Sequence, residues 1–259
     1  MNGVVVSRPG VELPRRYRGA DLKILTEEEA RRFGVHGRRG PEENLALAWE
    51  LLYRLEPELY DRLVQAERLH PAILDWLPRH TGTIVEVAAG SGRLTMQLIG
   101  RCDSLIAVEP AAPLRALLAA RLEHRARGRV RVAHGFFDCL PVSDKSAGLV
   151  ITCSALTPDP THGGDAGLAE MERVCMAGGQ VVIVWPNHLE WLAARGYRYQ
   201  CFSGQMWMEF ASLEDAVALC EIFYPEAEAQ IRRRGDRRVP YELLGVNAPR
   251  DLAYKEMAA

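Results

Sequence analysis

Between residues 83 and 185 the chain repeats one alternation, a short apolar run followed by a helical stretch. The runs are Thr83-Ile-Val-Glu-Val-Ala88, Ser104 to Glu109, Arg129 to His134, Gly148 to Cys153 and Gln180 to Trp185. Helical stretches fill the intervals at Gly92 to Gly100, Pro113 to about Arg125 and Asp165 to Cys175, the last read as stopping at Gly178-Gly179, a glycine helix-end signal. Strands that alternate with helices in this way pair in parallel, because each crossover helix must lie on a sheet face and return right-handed. The pattern therefore predicts an open α/β sheet with helices on both faces.

The flanks carry weaker signals. Residues 1 to about 40 are rich in Gly, Pro and Arg and read as a loosely packed arm, within which Thr26-Glu-Glu-Glu29 has the form of a helix start. From Pro41 a broad apolar face (Leu45, Leu47, Trp49, Leu51, Leu52, Leu55, then Leu59, Leu63 and Leu69) predicts a helical cap. The division expected is an arm and cap over 1–78 and a main domain over 79–259, with 187–238 as an insertion on the substrate side. Leu213 to Phe223 reads as a helix with Leu213, Val217, Leu219 and Cys220 inward. Arg232 to Arg238 reads as a polar loop or hairpin, and Val239 to Val246 as the last strand.

A net charge of −2 gives no general attraction to nucleic acid, and acids within Arg121–Arg131 and Arg232–Arg238 make both stretches solvated surface. No apolar run approaches 18 residues, so no membrane span is expected, and the start lacks a secretory pattern. A cytoplasmic protein is the expectation. The six cysteines lie scattered without metal-binding spacing; they read as reduced thiols, and no metal is expected.

The segment Val85-Glu-Val-Ala-Ala-Gly-Ser-Gly-Arg-Leu-Thr95 ends the first predicted strand and opens a helix. Small residues at 88–92 permit a tight turn and close approach of a ligand to helix amides. Glu109 ends the next strand, where an acid accepts both hydroxyls of an adenosine ribose. A tight turn without a ligand is the plain alternative. A dinucleotide site would place a third glycine where Thr95 stands, and would set the acid Glu86 beside a pyrophosphate. Glu86 instead suits a cationic ligand.

These residues resemble motif I of the class I S-adenosylmethionine-dependent methyltransferases, in particular the type 11, ubiquinone- and menaquinone-biosynthesis-like branch. The similarity continues through Gly135-Phe-Phe-Asp-Cys-Leu-Pro-Val-Ser-Asp-Lys-Ser-Ala-Gly-Leu-Val150, Ser154-Ala-Leu156, Arg173-Val174 and Gly178-Gly179, and covers about residues 80–186. It departs at Phe136 and Gly148, where the family often has acids, and at Thr157-Pro-Asp-Pro160, where it often has His. The resemblance implies a Rossmann-like, mostly parallel seven-stranded sheet with an N-terminal helical cap, and S-adenosyl-L-methionine as cofactor. By register, Glu86, Ala88, Gly90 and Gly92 would surround the methionine part and Glu109 the ribose; Pro110, Phe137 and Asp138 would surround the adenine, with Cys153 and Ser154 close by.

Methyl transfer to a small organic molecule through oxygen, nitrogen or carbon follows as the expected activity. No catalytic group is singled out. Tyr60, Asp159, His162 and His188 are candidates on the acceptor side, with Trp185 and Trp207 beside them, and each has a loop or packing reading as its alternative. A fold that binds the cofactor without methyl transfer and an NAD-dependent oxidoreductase are the rival functions. Neither nucleic acid nor membrane is an expected partner, and a homodimer is left open.

Overall fold

The computed structural model describes residues 13–79, 82–123, 125 and 128–258. In chain order its α-helices are α1 Glu27–Arg32, α2 Pro41–Leu55, α3 Pro57–Ala66, α4 Pro71–Trp76, α5 Thr95–Leu98, α6 Ala112–Leu122, α7 Gly164–Val174, α8 Leu189–Ala193, α9 Leu213–Phe223, α10 Pro225–Arg234 and α11 Tyr241–Leu244. The strands are β1 Thr83–Val87, β2 Ser104–Val108, β3 Val130–Ala133, β4 Ala147–Cys153, β5 Cys175–Val184, β6 Arg198–Cys201, β7 Trp207–Glu209, β8 Arg238–Pro240 and β9 Asp251–Glu256. They form two compact units: Leu69–Ser203 with Pro249 to the C-terminus, and residues through Arg68 with Gly204–Ala248.

The first of these holds a seven-stranded sheet in the order β3-β2-β1-β4-β5-β9-β6. Strands β1 to β5 run parallel, and β9 lies antiparallel between β5 and β6. The sheet is the open α/β architecture that the alternation predicts, in the Rossmann-like, mostly parallel seven-stranded form that the resemblance implies. Its central strands are apolar on both faces because both are covered. On one face Val85, Val87, Val150, Val181 and Ile183 pack with Leu168, Met171 and Val174 of α7 and Leu192 of α8. On the other, Trp76 of α4 meets Tyr254 of β9 edge-on at 4.7 Å.

Two expectations about this sheet fail. The glycine pair Gly178-Gly179 does not stop α7, which ends at Val174; both residues lie inside β5, where pairing with β4 slips between Ala147 and Leu149. A Cβ on Gly179 would sit 2.9 Å from the Gly148 carbonyl oxygen and 2.8 Å from Cys175 Sγ, so the glycine lets two backbones meet at a bulge. The last strand is Asp251–Glu256, not Val239–Val246; within the latter, β8 ends at Pro240 and pairs with β7 in a separate ribbon.

The second unit begins with helices rather than a loose arm. The part of that arm before residue 13 lies outside the described residues. Beyond it, Leu13 is fully buried, and Arg16 and Tyr17 both donate to the Glu56 carboxylate. Thr26 and Glu29 cap α1 reciprocally, as the sequence predicts. Helix α2 buries Leu47, Ala48, Leu51 and Leu52, and Arg54 joins Glu50 and Glu29 at 2.7 Å each. Helix α9 turns Ala216, Val217, Leu219, Cys220 and Phe223 inward, while Leu213 is not among its buried residues. Arg232–Arg234 belong to the last turn of α10, not to a loop. The helix starts with Pro225 and first-turn acids, pairs Arg232 with Glu228, and stops at Gly235 in the left-handed region. Among the described residues no helix is long and apolar enough to cross a membrane.

Candidate functional site

The carboxyl ends of β1, β4 and β5, neighbours in the sheet, share one backbone feature. The residue after each strand is not glycine yet has positive φ: Ala88 at 57°, Ser154 at 56° and Trp185 at 53°. Left-handed backbone costs such residues about 1–2 kcal/mol, and strain of this kind gathers where a loop must be aimed. Main-chain bonds hold the turns in place: Ser154 N donates to the Val184 carbonyl and Trp185 N to the Asp251 carbonyl, both at 2.9 Å. In open α/β sheets this edge is where ligands bind.

Glu86, on β1, is 2% exposed and accepts a hydrogen bond from the Thr95 hydroxyl at 2.6 Å. Burial pushes its carboxyl up to about 8, against the downward pull of Thr95 and of the Arg93 charge. Glu109, just past β2, is 4% exposed. One of its carboxylate oxygens accepts from Gly90 N at 2.9 Å and the other from Ala111 N at 2.8 Å. The acid expected to meet a ribose thus also holds the glycine turn in shape.

Of the remaining small residues, Gly90 is buried at φ 58°. Gly92 lies at φ 100°, a conformation that favours glycine, and a Cβ there would press on Leu118 Cδ1 of α6 and push that side chain aside. The Pro110 carbonyl accepts from Arg115 at 2.6 Å. Phe136 meets His134 edge-on at 5.4 Å. Phe137 packs beneath α7: Cβ atoms at Gly163 and Gly167 would lie 3.1 and 3.0 Å from it. Asp138 is exposed. Cys153 Sγ accepts from Arg93 Nη2 at 3.1 Å, and the Arg93 guanidinium lies 5.8 Å from the centroid of the Trp185 ring. Arg93 therefore ties the motif turn to the ends of β4 and β5, a role the sequence pattern did not single out.

The acceptor-side candidates separate. Asp159 and His162 come together in the loop after β4, through Thr161. The Asp159 Oδ1 accepts from both Thr161 N and Thr161 Oγ1 at 2.8 Å, and that hydroxyl is 2.9 Å from His162 Nδ1. Burial pushes the Asp159 carboxyl up, but the two Thr161 bonds and His162 outweigh it and hold it below the ordinary aspartate value. Thr161 was missed in sequence because Asp-x-Thr is also ordinary turn chemistry. His188 is exposed at the start of α8. Tyr60 belongs to the N-terminal unit, where its ring meets Tyr53 edge-on at 4.7 Å. Trp207 is in the same unit, under the Arg238 guanidinium at 5.1 Å.

A further acid that the sequence reading passed over is Asp251, at the start of β9. It is 8% exposed and accepts from the Tyr199 hydroxyl at 2.8 Å. Its other oxygen has no partner among the described residues, and burial raises the carboxyl.

Comparison with known proteins agrees with this geometry. Residues 84–179 match the family model described as a methyltransferase domain. Uncharacterized methyltransferases of Mycobacterium tuberculosis and Mycobacterium bovis are each 28% identical over 131 residues, which cover 49% of this chain. The chain spans about half the length of these curated relatives, 50% in each case. Among solved structures, the fold is similar to a chain in the complex between the Haloferax volcanii Trm112 methyltransferase activator and its methyltransferase. That match has a TM-score of 0.52 at 15% identity and covers 80% of this chain and 96% of the other. The segment from Ile84 to Gly179, with its glycine turn and the acids Glu86 and Glu109 at the carboxyl edge of the sheet, is thus similar to a methyltransferase domain.

Proposed function

We propose that the chain transfers a methyl group from S-adenosylmethionine to a small organic acceptor. The observation that carries this reading is the pairing of two buried acids around one glycine turn. Glu109 is oriented by two backbone amides at the end of β2, the position at which a ribose is held in this fold, and Glu86 is buried where a cationic ammonium would offset its desolvation. The cofactor supplies a methyl on a positively charged sulfur, an electrophile that needs little activation.

The chain's own part is alignment. Ala88, Gly90 and Gly92 would bring backbone close to the methionine part, Pro110, Phe137 and Asp138 would border the adenine, and Cys153 and Ser154 would lie near the cofactor at the end of β4. Holding donor and acceptor in line converts an encounter into a unimolecular step, worth up to about 7–11 kcal/mol in well-oriented systems. Incubation of the purified protein with S-adenosylmethionine and a panel of alcohols, phenols, amines and carbon acids tests the reading. Acceptor-dependent formation of S-adenosylhomocysteine supports it. Cofactor binding without product on any acceptor would instead favour a binding role, and nicotinamide binding an oxidoreductase.

A further inference from the structure

The cofactor reading uses Glu86 and Glu109 and leaves one buried acid of the sheet over, Asp251, which is 8% exposed. Its Oδ2 accepts from the Tyr199 hydroxyl at 2.8 Å. Its Oδ1 is closed off from solvent without a hydrogen-bond partner, and no other buried carboxylate oxygen among the described residues is in that state. Nor does any arginine, lysine or histidine among them form an ion pair with it. Buried acceptors in folded proteins are normally bonded, and an unpaired carboxylate oxygen is costly to keep. Its retention marks a place for a partner.

The strands fix where that partner would sit. Leu252 pairs with Val184 of β5 and Asp251 with Cys201 of β6, while the Asp251 carbonyl accepts from Trp185 N at 2.9 Å. Asp251 is therefore level with the left-handed residue that ends β5. The Trp185 ring in turn lies 5.8 Å from the guanidinium of Arg93, which follows the glycine turn and donates to Cys153 at the end of β4. Neighbouring strands are about 4.8 Å apart, so the three steps from β1 through β4 and β5 to β9 span about 14 Å. Asp251 stands on the ligand-binding edge, but outside the turn that Glu86 and Glu109 serve. An ionised carboxylate only accepts. Burial raises this one, against the pull of Tyr199 and of the Arg250 charge. A neutral N–H or O–H would complete the bonding of Oδ1 and leave the buried charge; a cationic donor answers both.

We propose that Asp251 anchors an ammonium group of the methyl acceptor, and that the methylated atom is a different one in the same molecule. This rests on the methyl-transfer reading above. An amine held as its ammonium has no lone pair, so it cannot attack the methyl carbon; the ion pair binds and orients. The acceptor class narrows to cationic amines that carry a second, nucleophilic group. A quaternary ammonium lacks the N–H that Oδ1 needs.

The first test needs no cofactor. Carbon-13 NMR follows the aspartate carboxyl groups of the intact protein, the Asp251 signal being the one lost in Asp251→Asn. Butylammonium, cyclohexylammonium and phenethylammonium should shift it saturably; butanol, cyclohexanol and phenethyl alcohol should not. Asp251→Asn keeps the shape and an acceptor for Tyr199. By calorimetry it should weaken ammonium binding about 10–100-fold, without lowering the urea midpoint. No shift with any ammonium ion, an equal response to the alcohols, or binding that ignores the substitution overturns the anchor. A lowered midpoint would mean that Oδ1 already has a structural partner, and overturns it as well. The second test supplies S-adenosylmethionine and compares amino alcohols and aminomethylphenols, each against its desamino counterpart. The amino member should have a KM lower by about 10–100-fold, with methyl recovered on oxygen. Asp251→Asn should erase that difference while kcat changes less. Methyl on the amine nitrogen, a KM difference that survives the substitution, or cofactor binding with turnover of no amino member overturns the proposal. Failure to bind S-adenosylmethionine at all would instead strike the methyltransferase reading, leaving the ammonium result to stand by itself.

Discussion

The burial of Glu86 makes the stability of this protein depend on pH through one residue. In the unfolded chain its carboxyl ionises near 4.5; in the folded protein burial lifts it to about 8. Between those values the folded state holds a proton that the unfolded state has lost, so stability falls as pH rises across the window. Below 4.5 both states are protonated and Glu86 contributes no slope; above 8 the full penalty is present. The slope is about 1.4 kcal/mol per pH unit, and over the three and a half units of the window it sums to about 5 kcal/mol. Glu86→Gln removes the titration while keeping the shape and an acceptor for the Thr95 hydroxyl. Urea unfolding of both proteins at pH 5, 6, 7 and 8 reads the effect. Every other ionisable group is common to the pair and cancels in the difference. Wild type should lose stability relative to Glu86→Gln at close to the stated slope. Parallel curves would mean that Glu86 is ionised throughout, and would refute the reasoning from burial.

Other consequences follow from the same contacts. If a cationic cofactor restores the charge on Glu86, binding at pH 7 releases close to one proton, seen by calorimetry in buffers of different ionisation enthalpy; Glu86→Gln should release none. Glu109→Gln places an NH2 group against Gly90 N–H or Ala111 N–H and leaves a buried amide unpaired, a loss of about 1–3 kcal/mol in thermal or urea unfolding. In the N-terminal unit, Arg54→Leu strands Glu29 and Glu50; a broken buried pair costs about 3–5 kcal/mol, measurable as a lowered unfolding midpoint at pH 7.

The sheet was legible because parallel strands buried on both faces must be short apolar runs, and crossover helices must separate them; β1 to β4 fall within a residue or two of the runs in the sequence. Glycine pairs are ambiguous at this level. Gly178-Gly179 has the composition of a helix stop, and only the approach of Gly148 on the neighbouring strand makes it a bulge. The antiparallel β9 was missed because its pairing with β5 and β6 is wholly non-local. Helix α10 was hidden by its arginines, although Pro225 and Gly235 bracket it with ordinary start and stop residues. In the site, the spacing from Glu86 to Glu109 could be read because both acids end adjacent strands. The Thr161 link and the Arg93 bridge could not, since both depend on side-chain directions that a loop sequence does not encode.

The measurement that bears most directly on the central claim is calorimetric titration of the purified protein with S-adenosylmethionine and, separately, S-adenosylhomocysteine. The account predicts saturable micromolar binding of both, abolished by Glu109→Ala in a variant shown by circular dichroism to remain folded. A folded wild-type protein that binds neither compound would contradict it.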